Sequence, residues 1–69
     1  MNKFAERLKE LRLEKGLSIV GLAKNIGTSH ANISRWESKE RLPNIDAVII
    51  LAKYFNVSTD YLLGVVDEI

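Results

Sequence analysis

The sequence predicts a compact all-α domain of five short helices. Three observations carry that prediction. Apolar residues recur at helical spacing, cap-forming Ser, Thr and Asn alternate with Gly at short intervals, and no segment alternates with the period of two that a half-buried strand requires. The one run with strand-like composition, Val48 to Ala52, lies inside a helical pattern, with a cap before it and Asn56 after it.

In the first helix, Phe4, Leu8 and Leu11 fall at i, i+4 and i+7 with Ala5 beside them, while Lys3, Glu6, Arg7, Lys9 and Glu10 take the other positions. It should stop at Lys15-Gly16, where the backbone can turn left-handed and return Leu17 to the core. Ser18 is the natural N-cap of a second helix ending at Gly27, and Thr28 or Ser29 caps a third that runs to about Ser38. Pro43-Asn44 opens a fourth helix from Ile45 to about Phe55, closed by Asn56. Ser58 caps a last short turn ending at Gly64.

A length of 69 residues suits one small domain, and without cysteine its stability must come from helix packing rather than disulfides or thiolate metal sites. No apolar run approaches the roughly 20 residues of a membrane span, and no secretory signal is visible, so a cytoplasmic setting is expected. The net charge of +1 hides a division, since residues 1–41 carry +4 and residues 42–69 carry −3. A basic first half suits a polyanionic partner. An enzyme is not expected: no Ser has a convergent His and carboxylate in prospect, and a single His without Cys gives no metal-ligand spacing. Neither a metal nor a cofactor is expected.

The segment from Ile19 to Ser38, IVGLAKNIGTSHANISRWES, carries the chemistry. Leu22, Ala23, Ile26, Gly27, Ile33 and Trp36 are spaced so that two helices cross over a shared apolar centre, with Ala23 small for the close passage and Gly27 free to take positive φ in the turn. With Ile33 and Trp36 turned inward, His30, Ala31, Ser34 and Arg35 cluster on the opposite face. Hydrogen-bonding residues, not the Glu and Lys of an ordinary solvated face, fill it. A helix presenting such a face fits the major groove of B-DNA. Taken alone His30 would be an ordinary surface histidine, and Trp36, three residues after Ile33, belongs to the core rather than to a base-stacking platform.

The strings RLKELRLEKGLS, ISRWE and VSTDYLLG, with Gly, Pro and cap residues between them, resemble the phage-repressor and Cro type of helix-turn-helix domain, the xenobiotic-response-element family of bacterial regulators. The likeness covers Phe4 to Gly64 and implies a lambda-repressor-like fold whose helix-turn-helix unit spans about residues 18–38. It implies a cytoplasmic, nucleoid-associated repressor of bacterial or phage origin that binds double-stranded DNA, as a homodimer on a near-palindromic operator. Ser29, His30, Ala31, Ser34 and Arg35 would then contact bases: Arg35 can grip guanine O6 and N7, and Ala31 can touch a thymine methyl. Asn32, Lys39, Arg41, Ser18 and Thr28 would contact phosphates. Arg12 matches a family arginine that pairs with the glutamate at Glu37, an ion pair expected to lock the first helix onto the third.

Three departures from the family stand out. Ile19 replaces a common phosphate-touching Gln, and Val20-Gly21 lowers the intrinsic propensity of the second helix. Ser38-Lys39 stands where the family often has Asn-Gly or Ser-Gly, so either Lys39 takes a strained positive φ or the third helix ends differently. In the fourth helix, Ile45, Val48, Ile49, Ala52 and Phe55 are expected to point inward, with Ala47, Ile50 and Tyr54 forming a second stripe. Together with Val65, Val66 and Ile69, that stripe leaves apolar surface for the tail, a dimer partner meeting it near residues 56–60, or a domain beyond this chain. The competing functional class is therefore an antitoxin-like protein-interaction module on the same fold.

Overall fold

The computed structural model describes residues 2–68. Five helices follow one another: α1 (Phe4–Glu14), α2 (Ile19–Ile26), α3 (His30–Glu37), α4 (Ile45–Phe55) and α5 (Thr59–Leu63). There is no strand among the described residues. Every helix contributes a fully buried side chain: Phe4 and Leu8 from α1, Leu22 from α2, Ile33 from α3, Leu51 from α4 and Leu62 from α5. Leu11, Ala23, Trp36, Val48, Ala52 and Phe55 complete one shared core.

The helix starts follow side-chain chemistry. The hydroxyls of Ser18, Ser29 and Ser58 accept from the backbone N–H groups of Gly21, Asn32 and Tyr61 at 2.9, 3.2 and 2.9 Å. The Asn44 side-chain oxygen Oδ1 accepts from the Ala47 N–H at 2.8 Å. Each satisfies a donor that helix geometry leaves unpaired. Of the two candidates for the start of α3, Ser29 is the cap.

All five helices end alike. A residue with positive φ follows each one, Gly16 (68°), Gly27 (76°), Lys39 (70°), Asn56 (56°) and Gly64 (83°). The next N–H then donates to the carbonyl five residues back, at 2.8–3.1 Å: Leu17 to Arg12, Thr28 to Ala23, Glu40 to Arg35, Val57 to Ala52 and Val65 to Asp60. Lys39 is the outlier. Asparagine tolerates this conformation through its short polar side chain, but lysine has no such help and pays the Cβ penalty in full. At Gly64 the requirement is double, because a Cβ there would also lie 2.9 Å from the backbone nitrogen of Lys3.

That close approach brings the chain ends together. Lys3 N–H donates to the Leu63 carbonyl at 3.3 Å. Arg7, buried on α1, donates to the carbonyls of Tyr61 and Val66 and to Asp67 Oδ1 at 2.7 Å, and its guanidinium lies 4.2 Å from the centre of the Tyr61 ring. A cation on the first helix thus holds the last described segment.

The α4 expectation needs correction. Its buried stripe is Val48, Leu51, Ala52 and Phe55, whereas Ile45 is 78% exposed and Ile49 40%. The segment is apolar nearly all round, so sequence periodicity did not fix its phase. The positions of the neighbouring helices did. In the second stripe Ala47 and Tyr54 are half-buried against the core and Ile50 is exposed. In the tail Val65 and Val66 are exposed, while Ile69 lies outside the described residues.

Candidate nucleic-acid interface

The geometry of α3 begins with how its inner side is held. Ile33 and Trp36 are buried, and the Trp36 ring meets Phe4 of α1 edge to face at 6.4 Å. Beside them, Arg12 Nε and Nη2 donate to Glu37 Oε2 and Oε1 at 2.7 and 2.9 Å, and Nη1 donates to the Leu17 carbonyl at 2.9 Å. Both side chains are more than 90% buried, at 9% and 8% exposure. The glutamate hydrogen bond raises the Arg12 pKa, with burial opposing it. This fork ties α1, the α1–α2 turn and the end of α3 into one body, so α3 cannot roll without breaking a buried, fully paired ion pair.

The other side of α3 is uncommitted. Ser29, His30, Ser34 and Arg35 are exposed, with Ala31 half-buried among them. Ser29 Oγ is engaged by its capping bond, while among the described residues no hydrogen bond or salt bridge engages the side chain of His30, Ser34 or Arg35. A guanidinium and a hydroxyl held free on a rigid helix are equipped to exchange water for base-edge acceptors and donors.

The residues expected at phosphates are less uniform. Ser18, with its hydroxyl committed to capping α2, stays exposed at that helix start. Thr28 and Asn32 are half-buried and bond to each other, Asn32 Nδ2 donating to Thr28 Oγ1 at 2.9 Å. Both are already engaged within the protein. Lys39 and Arg41 extend past the end of α3, both exposed. Arg41 has no ion-pair partner among the described residues, whereas Lys39 Nζ lies 3.3 Å from Glu6 Oε1 on α1. That contact, led by its hydrogen bond, lowers the Glu6 pKa. Sequence spacing gave no signal of the pair, because 33 positions separate its members.

Among the described residues no group of His, Cys, Asp and Glu could hold a metal ion, and no helix is long and apolar enough to cross a membrane.

A helix-turn-helix family profile matches residues 8–62. An uncharacterized HTH-type transcriptional regulator of Bacillus subtilis, YobD, is 34% identical over 94% of this chain and 58% of its own length. The transcriptional activator BcrR of Enterococcus faecalis is 38% identical over 90% of this chain and 30% of its own. This chain therefore spans between about a third and three fifths of these relatives. Among solved structures, the P22 c2 repressor in complex with synthetic operator 9T superposes with a TM-score of 0.81 at 35% identity, covering 87% of this chain and 91% of that one.

Proposed function

The chain belongs to the helix-turn-helix family, and from that premise we propose that it is a sequence-specific, double-stranded DNA-binding regulator that represses transcription by occupying an operator. The observation that carries this reading is the contrast within α3, whose inner side is locked by Arg12–Glu37 while Arg35, Ser34 and His30 face outward without partners. Ser29, His30, Ala31, Ser34 and Arg35 read bases. Lys39 and Arg41 neutralise phosphates, and the backbone N–H groups at the starts of α2 and α3, beside Ser18 and Thr28, add further contacts. Asn32 contacts phosphate with what its bond to Thr28 leaves free, since only one amide hydrogen is used there.

A dimer on a near-palindromic site completes the reading. The Cα extents of 28 × 23 × 19 Å suit two abutting copies whose recognition helices enter successive major grooves roughly 34 Å apart. Repression needs only occupancy, and a setting in the cytoplasm follows from the DNA target. The similarity to an activator of Enterococcus faecalis marks the sign of regulation as a property that promoter position and regions outside this domain can set.

Selection of binding sites from random duplex DNA tests the proposal, with a salt titration on the winning and on a random sequence. A recovered half-site repeated with two-fold symmetry, and a log-log salt slope of roughly −0.9 per neutralised phosphate, are expected. No enrichment and no salt slope would leave the protein-interaction module standing, for which exposed Leu42, Ile45 and Val20 (71, 78 and 60%) supply the surface.

A further inference from the structure

We propose that the cavity between the start of α1 and the α3–α4 loop binds a small apolar anion, an aliphatic carboxylate of medium chain length being the class that fits. The cavity measures about 270 Å³, slightly under the range of about 300 Å³ and upward typical for drug-sized ligands. It suits a fragment. Phe4, Ala5, Trp36 and Leu42 are its apolar lining residues, and Asn2, Lys39 and Arg41 are its polar ones. Among the described residues no carboxylate lines it.

The two cations are presented by a fixed loop. The N–H groups of Glu40 and Arg41 both donate to the Arg35 carbonyl, at 3.0 and 3.3 Å, and Lys39 between them and α3 is held at φ 70°. Little loop ordering is left to pay for on binding. Arg41 has no ion-pair partner among the described residues, so its planar fork is available to a carboxylate in a bidentate arrangement. Lys39 is shared with Glu6 at 3.3 Å, a contact between side chains that are 58% and 51% exposed. Exposed pairs of that kind are weak, so an incoming anion can share or displace the glutamate.

A second groove sharpens the choice of ligand. Pro43, Ile45, Val48, Ile49, Thr59 and Leu63 line about 440 Å³ with no charged side chain. A neutral apolar molecule has that alternative; an anion gains only at the first cavity. The lysine that replaces glycine at the end of α3 places one of the two charges there. The site shares Lys39 and Arg41 with the proposed phosphate contacts, but its test contains no DNA, so its failure and the failure of the DNA reading are distinguishable.

The experiment is a titration of the ¹⁵N-labelled chain with octanoate, 1-octanol and acetate, all below the concentration at which octanoate forms micelles. Octanoate should give saturable shifts centred on the amides of Asn2, Ala5, Lys39, Arg41 and Leu42 and on the Trp36 indole N–H. Loss of the bidentate charged contact in Arg41→Gln should weaken octanoate at least about ten-fold, and Leu42→Asp should abolish it. Both positions are exposed, and the same spectra report whether each variant is folded. Octanol or acetate matching octanoate at these residues, shifts centred on Ile45 and Ile49, or an Arg41→Gln variant that binds octanoate like the parent would each overturn the proposal.

Discussion

The two sides of α3 treat arginine in opposite ways: the inner side receives Arg12 of α1, and the outer side presents Arg35. On the inner side Glu37 receives both arms of Arg12, Ile33 is fully buried, and no buried side-chain polar atom of the described residues lacks a partner. On the outer side Arg35 and Ser34 have no side-chain partner and face water. Arginine is structural where its partner is built in and available for recognition where it is not. Rigidity on the first side makes the second useful, since free donors on a mobile helix would lose on ordering much of what they gain by contact.

The largest test of that division is Glu37→Ala. Removing the carboxylate leaves the Arg12 guanidinium buried with only the Leu17 carbonyl, and the fold should lose about 3 kcal/mol by urea denaturation. A loss close to that of an ordinary surface substitution would mean that the inner side does not hold α3.

Arg35→Ala asks the converse. Stability should be unchanged, while affinity for the selected operator falls by roughly 1–3 kcal/mol and discrimination relaxes at one base pair per half-site. Random DNA should bind almost as before. Equal losses on both kinds of DNA would move Arg35 from reading bases to holding phosphates.

Lys39 sits on the boundary between the two sides, and two substitutions separate its roles. Lys39→Ala keeps the left-handed strain and removes the charge, so it should weaken specific and random DNA alike and reduce the salt slope by about one unit per chain. Lys39→Gly also relieves the strain. Relief of about 1–2 kcal/mol, offset by the extra freedom of glycine in the unfolded chain, should leave the fold more stable by up to about 1 kcal/mol. A Gly variant no more stable than the Ala variant would show that the loop bears no backbone strain at this position.

The smallest effect belongs to the tail clasp. Arg7, followed by Lys3, lowers the Asp67 pKa below its ordinary value of 3.8. A depressed folded pKa means stability present above the unfolded value and lost as pH falls through the folded one. The thermal midpoint of the parent should therefore drop more steeply than that of Asp67→Asn as pH falls from about 4. Above that range the two curves should run parallel. Because Asp67 is fully exposed, the difference will be small, and identical acid limbs would assign the hold on the tail to the two carbonyls that Arg7 also binds.

Much of this molecule is written locally. A cap needs only a hydroxyl or amide three residues before an N–H, and a helix end needs only a residue that accepts positive φ, so Ser18, Asn44, Ser58, Gly27 and Asn56 mark their boundaries without reference to the rest of the chain. The Arg12–Glu37 pair was legible through the family pattern, and the outward set on α3 followed once Ile33 and Trp36 were read as core. Other features have no local signature. The phase of α4 depended on where α2 and α5 press, because Ile45, Ile49 and Leu51 are interchangeable by hydrophobicity and only packing buries the last. Lys39 reaching Glu6, Arg7 reaching Tyr61, Val66 and Asp67, and the cavity beneath Leu42 all join residues far apart in sequence. Short-range hydrogen bonds and periodicity fixed the elements; contacts across 25 to 60 positions form only when the helices are packed, and they decide which charges are consumed inside the fold and which are left for a partner.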